Sequence, residues 1–175
     1  MLAENISVSA MIEDLSTMLD AALDRDGRTQ IPLKEELGYV NAYLYIIRER
    51  LGEGFHVNME IDESVLEQLV PRLILQPIVE NAVEHDITAR HGGNLGVRAF
   101  LQEGTMVLEV EHDGTMTGAD REKIRQLLSA EDSSGSRVGL KNVYRRLKLL
   151  YGSEGNLTVG EIRPGIILAR VSFPG

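Results

Sequence analysis

Residues 75–85, Leu-Gln-Pro-Ile-Val-Glu-Asn-Ala-Val-Glu-His, constrain this chain more than any other stretch, because as one helix they carry two incompatible faces. At 100° per residue, Leu75, Ile78, Val79, Ala82 and Val83 fall on one side, and Gln76, Glu80, Asn81, Glu84 and His85 on the other. The first side needs a packed surface beneath it. The second gathers oxygen and imidazole groups of the kind that meet Mg and phosphate. Periodicity alone makes a polar helical face a solvated one, so the rest of the chain has to decide between the two readings.

Around this stretch the chain reads as helices and hairpins. Residues 1–24 place Val8, Met11, Ile12, Leu15, Met18, Leu19 and Ala22 at heptad-like spacing. Such a stripe either lies on its own domain's core or belongs to a dimerising helical hairpin. Residues 24–28 break it, with Gly27 as the stop. A second helix is predicted over 33–51, entered through Ile31-Pro32, apolar at Leu37, Val40, Leu44, Ile47 and Leu51, and ended by Gly52 and Gly54. Residues 55–61 alternate as a strand, and 62–64 start a short acidic helix or turn.

The helix bearing Glu80 and Asn81 is predicted to start near Pro71 and to kink at Pro77, whose ring removes a donor and clashes one turn back. Residues 95–101 and 106–111 form alternating strands joined through Glu103-Gly104. Helices follow at 119–128 and at 139–151, the latter turning Leu140, Val143, Leu147 and Leu150 inward before Gly152. Between them, 129–138 is polar, with the composition of a mobile lid. Strands 156–161 and 166–173 flank the turn Arg163-Pro164-Gly165. This order predicts an α+β fold, a two-layer α/β sandwich with one mixed sheet and helices on one face, plus an N-terminal helix.

With 175 residues, 43% of them hydrophobic, the chain can bury a core as one domain with an appendage. A net charge of −9 argues against a nucleic-acid partner, which needs clustered Lys and Arg. The basic group Lys141, Arg145, Arg146 and Lys148 on one predicted helix reads as a solvated face, or as a neighbour of nucleotide phosphates. The chain contains no cysteine, which removes disulfide and thiol chemistry and fits a cytoplasmic setting. No apolar run reaches bilayer length and the N-terminus lacks a signal-peptide pattern, so any membrane anchor is expected outside this piece.

Gln-Pro-Ile-Val-Glu-Asn-Ala-Val-Glu-His at 76–85 resembles the N box of the ATP-binding domain shared by sensor histidine kinases, DNA gyrase and MutL-type ATPases, most closely that of LytS-like sensor histidine kinases. Gly135-Ser136-Arg137-Val138-Gly139-Leu140-Lys141-Asn142-Val143 is similar to the family's second glycine box, and 139–147 to its form in the LytS-like branch. There a flexible stretch runs into a helix, so backbone N–H groups and the positive helix end can face an anion. Ile31-Pro32-Leu33-x-Glu35-Glu36-Leu37-x-x-Val40-x-x-Tyr43-Leu44 fits the same branch.

The resemblance implies ATP and Mg as cofactors, with Asn81 ligating Mg and Glu80 acting on the proton of the attacking group. It also implies Gly135, Val138, Gly139 and Leu140 at the phosphates and His85 near the Asn81 edge. His112-Asp113-Gly114-Thr115-Met116 stands where the family usually shows Asp-x-Gly-x-Gly. His112 thus occupies the position of the aspartate that accepts from the adenine amino group, and Met116 that of the second glycine. A neutral imidazole accepts one such bond and an imidazolium none. Asp113 is the alternative through a one-residue shift, with Gly118 replacing the missing glycine. Glu84 stands where a lysine is common and Asp86 where a glycine often ends the word.

In that family the phosphoacceptor histidine lies upstream, in a His-Phe-Leu-Phe-Asn-like word that is absent here. Residues 1–28 are therefore expected to be the second helix of the phosphoacceptor hairpin with a linker, and 29–175 the ATP-binding catalytic domain. The implied activity is transfer of the γ-phosphoryl of Mg-ATP to a histidine outside this chain. A non-catalytic regulatory module with weak or no nucleotide binding is the alternative, favoured by His112 and Met116. The implied partners are ATP, the phosphoacceptor hairpin of the parent protein, a response regulator and a second copy in a homodimer, in a cytoplasmic domain of a membrane-anchored receptor.

Overall fold

The structure, a computed structural model, describes residues 27–129 and 138–175. The heptad-like stripe, most of the lid segment and Gly135 lie outside the described residues. Residues Ile31–Gly175 make one compact unit.

The first strand, β1 (Gln30–Pro32), leads directly into α1 (Leu33–Leu51). No side chain caps this helix. Its first N–H groups, on Leu33 and Lys34, donate instead to Gln68 and Leu66 carbonyls at 2.9 and 3.0 Å. Leu37, Val40, Leu44 and Ile47 recur at three- and four-residue spacing and are buried, as the sequence predicts, with Leu33 buried at the helix start and Leu51 half-buried at its end. Gly52, with φ of 66°, ends the helix.

The remaining elements are β2 (Phe55–Ile61), β3 (Leu69–Pro71), α2 (Gln76–Ala82), β4 (Gly93–Gln102), β5 (Thr105–Asp113), α3 (Gly118–Leu128), α4 (Val138–Tyr151), β6 (Asn156–Arg163) and β7 (Ile166–Pro174). β1 and β3 form a small sheet, and the main sheet has the order β2-β4-β5-β7-β6. β2 runs parallel to β4, and the other three pairings are antiparallel. In the β4–β5 hairpin both loop residues are left-handed, Glu103 at φ 51° and Gly104 at 77°, which matches the twist of the flanking strands.

Alternation sorts the sheet into two faces. Met106, Leu108, Val110 and His112 of β5 are buried on one face, with Leu95, Val97 and Ala99 of β4 and Ile167, Ala169, Val171 and Phe173 of β7 beside them. Onto the core α2 brings Ile78, Val79 and Ala82, α4 brings Leu140, Val143 and Leu147, and α3 brings Ile124. The other face carries charge: Arg98 and Arg170 hold the Glu109 carboxylate at 2.8 and 3.5 Å. This is the mixed-sheet, two-layer arrangement expected from the sequence.

Three expectations need correction. Pro71 ends β3 and does not start a helix. Pro77 is the second residue of α2, where its missing N–H costs no helical bond, so it opens the helix and does not kink it. Leu150 is 37% exposed and does not point inward. The polar stretch also leaves α-geometry after Ala82: residues Val83–Ile87 form a π turn, with the Thr88 N–H donating to the Val83 carbonyl at 2.8 Å. Among the described residues no helix is long and apolar enough to cross a membrane.

Candidate functional site

α2 and the π turn that follows it deliver one wall of a cavity of about 220 Å³, lined by Asn81, His85, Asp86, His112, Thr115, Met116, Asp120, Val159 and Ile167. Burial of Ile78, Val79, Ala82 and Val83 fixes the rotation of this segment. Asn81 is half-buried and His85 exposed at the cavity. Of the residues singled out in the sequence, Asn81, His85 and His112 are thus brought together.

The others take different places. Glu80 is half-buried beside the cavity, and Gln76 Nε2 donates to its Oε1 at 2.8 Å, a one-turn pair that orients the carboxylate. Asp113 turns to the opposite sheet face, where its Oδ2 accepts from the N–H and Nδ2 of Asn94, both at 2.8 Å. Gly114 packs behind the cavity: a Cβ there would lie 2.8 Å from both Asp86 Cγ and Ile167 Cδ1. Gly139 brings α4 against α2, since a Cβ would lie 3.2 Å from Pro77 Cβ. The Leu140 side chain is in the core. Val138 is the first residue of α4.

His112 is 4% exposed. Its Nδ1 lies 3.1 Å from the Asp113 carbonyl oxygen and 3.7 Å from Asp86 Oδ2. Both neighbours only accept, so the partners assign the proton to Nδ1 and leave a lone pair on Nε2. Burial pushes the imidazole pKa below its ordinary value, against the upward pull of the Asp113 carbonyl and the Asp86 and Asp113 carboxylates. At neutral pH the ring is therefore a neutral acceptor.

Sequence reasoning missed the residue that sets where α2 begins. Glu36 of α1 is fully buried, and its carboxylate accepts from the backbone N–H groups of Leu73 (3.0 Å), Leu75 (2.9 Å) and Gln76 (3.3 Å). Burial raises its pKa above the usual carboxylate range, and these N–H donors pull it back down. From the other side Arg146 of α4 donates to the Arg72 and Leu73 carbonyls. Between them Leu73 holds a left-handed φ of 55°, a conformation that costs a branched residue about 1 kcal/mol or more. A signal was present in the sequence, an acid on the same helical stripe as Leu33, Leu37 and Val40.

Arg146 also answers the question of the basic group on α4. Lys148 is a second member with a backbone task, donating to the Gly155 carbonyl at 2.7 Å, while Arg145 is exposed.

A two-layer sandwich with an asparagine-bearing helix beside a buried strand end belongs to a known class. A family model described as histidine kinase-, DNA gyrase B-, and HSP90-like ATPase matches residues 67–172, and a histidine kinase model matches residues 1–55. The chain belongs to that ATPase family. The sensor histidine kinase YpdA of Escherichia coli K12 is 34% identical over 159 residues, 91% of this chain and 27% of its own length. The sensor histidine kinase/phosphatase LytS of Staphylococcus aureus Mu50 is 31% identical over 149 residues, 84% of this chain and 26% of its own. The chain thus spans only about a quarter of these relatives' length. Among solved structures, the catalytic domain of histidine kinase ThkA has the same fold, with a TM-score of 0.63 at 17% identity over 83% of this chain and 95% of that one.

Proposed function

We propose that residues 29–175 bind Mg-ATP and transfer its γ-phosphoryl to a histidine outside this chain, on a hairpin whose second helix is residues 1–28. The observation that best supports this is the convergence of Asn81 and His85, from one helix edge, with His112, from the sheet, on one cavity. The donor set fits Mg. Among the described residues no group of three His, Asp or Glu is placed to hold an ion. Asn81 offers one hard oxygen, which suits an ion that completes its shell with phosphates and water. When bound, Mg supplies charge neutralisation of the triphosphate.

Asn81 would hold the ion, and Glu80, oriented by Gln76, would take the proton of the attacking histidine. Gly135, Val138, Gly139 and Leu140 would bring backbone N–H groups to the phosphates at the start of α4. The bond between the γ-phosphorus and its bridging oxygen breaks, a phosphorus–nitrogen bond forms, and ADP leaves. His112 and Gly114 stand on the base side, and Asp113 braces β5 to β4 behind them. In the parent protein the partners are the phosphoacceptor hairpin, a response regulator that takes the phosphoryl group, and a second copy. The setting is the cytoplasmic side of a membrane-anchored receptor.

Calorimetric titration with Mg-ADP tests the reading: the parent chain should bind, and Asn81→Ala should not bind while unfolding at an unchanged temperature. Equal binding by the two proteins would defeat the assignment. A second reading, a regulatory module that does not bind nucleotide, is favoured by Met116 and His112 in the cavity lining. It predicts a folded parent chain that gives no heat with Mg-ADP.

A further inference from the structure

We propose that Asp86, presented by the π turn, supplies the carboxylate that reads the exocyclic amino group of a 6-aminopurine base, with the His112 imidazole as the second acceptor. The inference rests on the nucleotide-binding reading above and adds to it the residue that selects the base.

Among the described residues two carboxylates reach the cavity, those of Asp86 and Asp120. Asp120 has another task. Its Oδ2 accepts from the Thr117 N–H at 3.0 Å and Oγ1 at 2.6 Å, closing the capping box of α3. Asp86 instead stands 3.7 Å from His112 Nδ1, on the π turn that follows α2. Val83 and Ile87 anchor both ends of that turn in the core at 0% exposure. π turns are rare and recur at functional sites, because the added residue re-aims the side chains that follow.

Gly114 supplies the space. With any side chain there, a Cβ would meet Asp86 Cγ at 2.8 Å, so the carboxylate reaches the strand end only because position 114 is bare. Apolar walls for a flat ring are present in Met116, Val159 and Ile167. The edge of the cavity thus combines a carboxylate with an imidazole whose Nδ1 proton is committed, leaving Nε2 to accept. Both are acceptors. An amino group at position 6 of a purine satisfies them, whereas a carbonyl there sets oxygen lone pairs against lone pairs.

The geometry also links two sequence departures into one change. A carboxylate at position 86 leaves no room for a second one at 112, because like charges within about 4 Å of each other disfavour joint ionisation. Imidazole at 112 relieves that conflict, with its Nδ1 3.7 Å from Asp86 Oδ2.

The test compares Mg-ADP with Mg-IDP, which carries a 6-carbonyl, by calorimetry on the same chain. The parent should prefer ADP at least about tenfold, the loss expected when a charged acceptor is left unpaired. Asp86→Asn should reduce that preference to within about threefold by weakening ADP and not IDP. Gly114→Ala, which pushes the carboxylate away, should do the same. His112→Asp alone should weaken ADP, and adding Asp86→Gly to it should restore the preference. Equal affinity of the parent for ADP and IDP, an unchanged preference in Asp86→Asn, or equal weakening of both nucleotides by it would overturn the inference while leaving nucleotide binding in place. A folded parent that binds neither nucleotide would overturn the function reading itself, and this inference with it.

Discussion

Protonating His112 would remove the Nε2 lone pair and put a charge on a ring that is 4% exposed. Burial opposes that charge, the Asp86 and Asp113 carboxylates and the Asp113 carbonyl favour it, Arg90 opposes it, and the net result is a pKa below the ordinary value. The sign for stability follows. The unfolded chain, with a histidine pKa of about 6.5, binds the proton more readily than the folded one. Stability from this group is therefore complete above that value and is lost as pH falls through the folded pKa. Mg-ADP affinity should likewise be flat near neutrality and fall in acid, since only the neutral ring accepts. Thermal unfolding and ADP titrations between about pH 5.5 and 8 check both in the parent and in His112→Gln, which keeps an acceptor but does not titrate. Superimposable profiles for the two proteins would refute the account.

At the scale of elements, α2 is only 7 residues long, too short to hold itself together, so its start and tilt come from its neighbours. Glu36 reaches it from α1, and Arg146 of α4 holds the turn just before it. Glu36→Gln keeps the shape but turns an amide NH₂ toward N–H donors, so it should cost about 1–3 kcal/mol in urea unfolding. It should also weaken Mg-ADP binding while Asn81 stays in place, and an ADP affinity equal to the parent's would show that the α2 start does not matter to the site. The same contacts explain what could and could not be read from the sequence. α1, the β4–β5 and β6–β7 hairpins, and α4 were legible because each carries its own period and its own stop, such as Gly52 or Glu103-Gly104. Pro77 was misjudged because a proline opens a helix or breaks it depending on where the first turn lies, and here Glu36, forty positions before Gln76, decides that. Gln76 counted as part of the polar face, yet it is buried, with its N–H on Glu36 and its side chain on Glu80. The π turn has no period to detect, so the sequence marks Asp86 only as an acid where a glycine often ends the word.

For the whole molecule, the four histidines set a limit on what this chain can do alone. His56, His85 and His91 are exposed and His112 is buried in the sheet, and none stands on a hairpin helix among the described residues. Incubated with Mg-ATP, the chain should acquire no acid-labile phosphate, while addition of the phosphoacceptor hairpin should produce transfer to that hairpin. Phosphate found on any of the four would contradict the division of labour proposed above. The parallel pairing of β2 with β4 has a further consequence. Strands that run the same way cannot be joined by a tight turn, so everything from Asp62 to Gly92, Asn81 and Asp86 included, is the connection between them. β2 is also an edge strand. Releasing it frees that connection, and with it one wall of the cavity. Amide exchange along 55–61 should therefore report occupancy: at nucleotide a hundred times its Kd, openings that dissolve the site become about a hundredfold rarer.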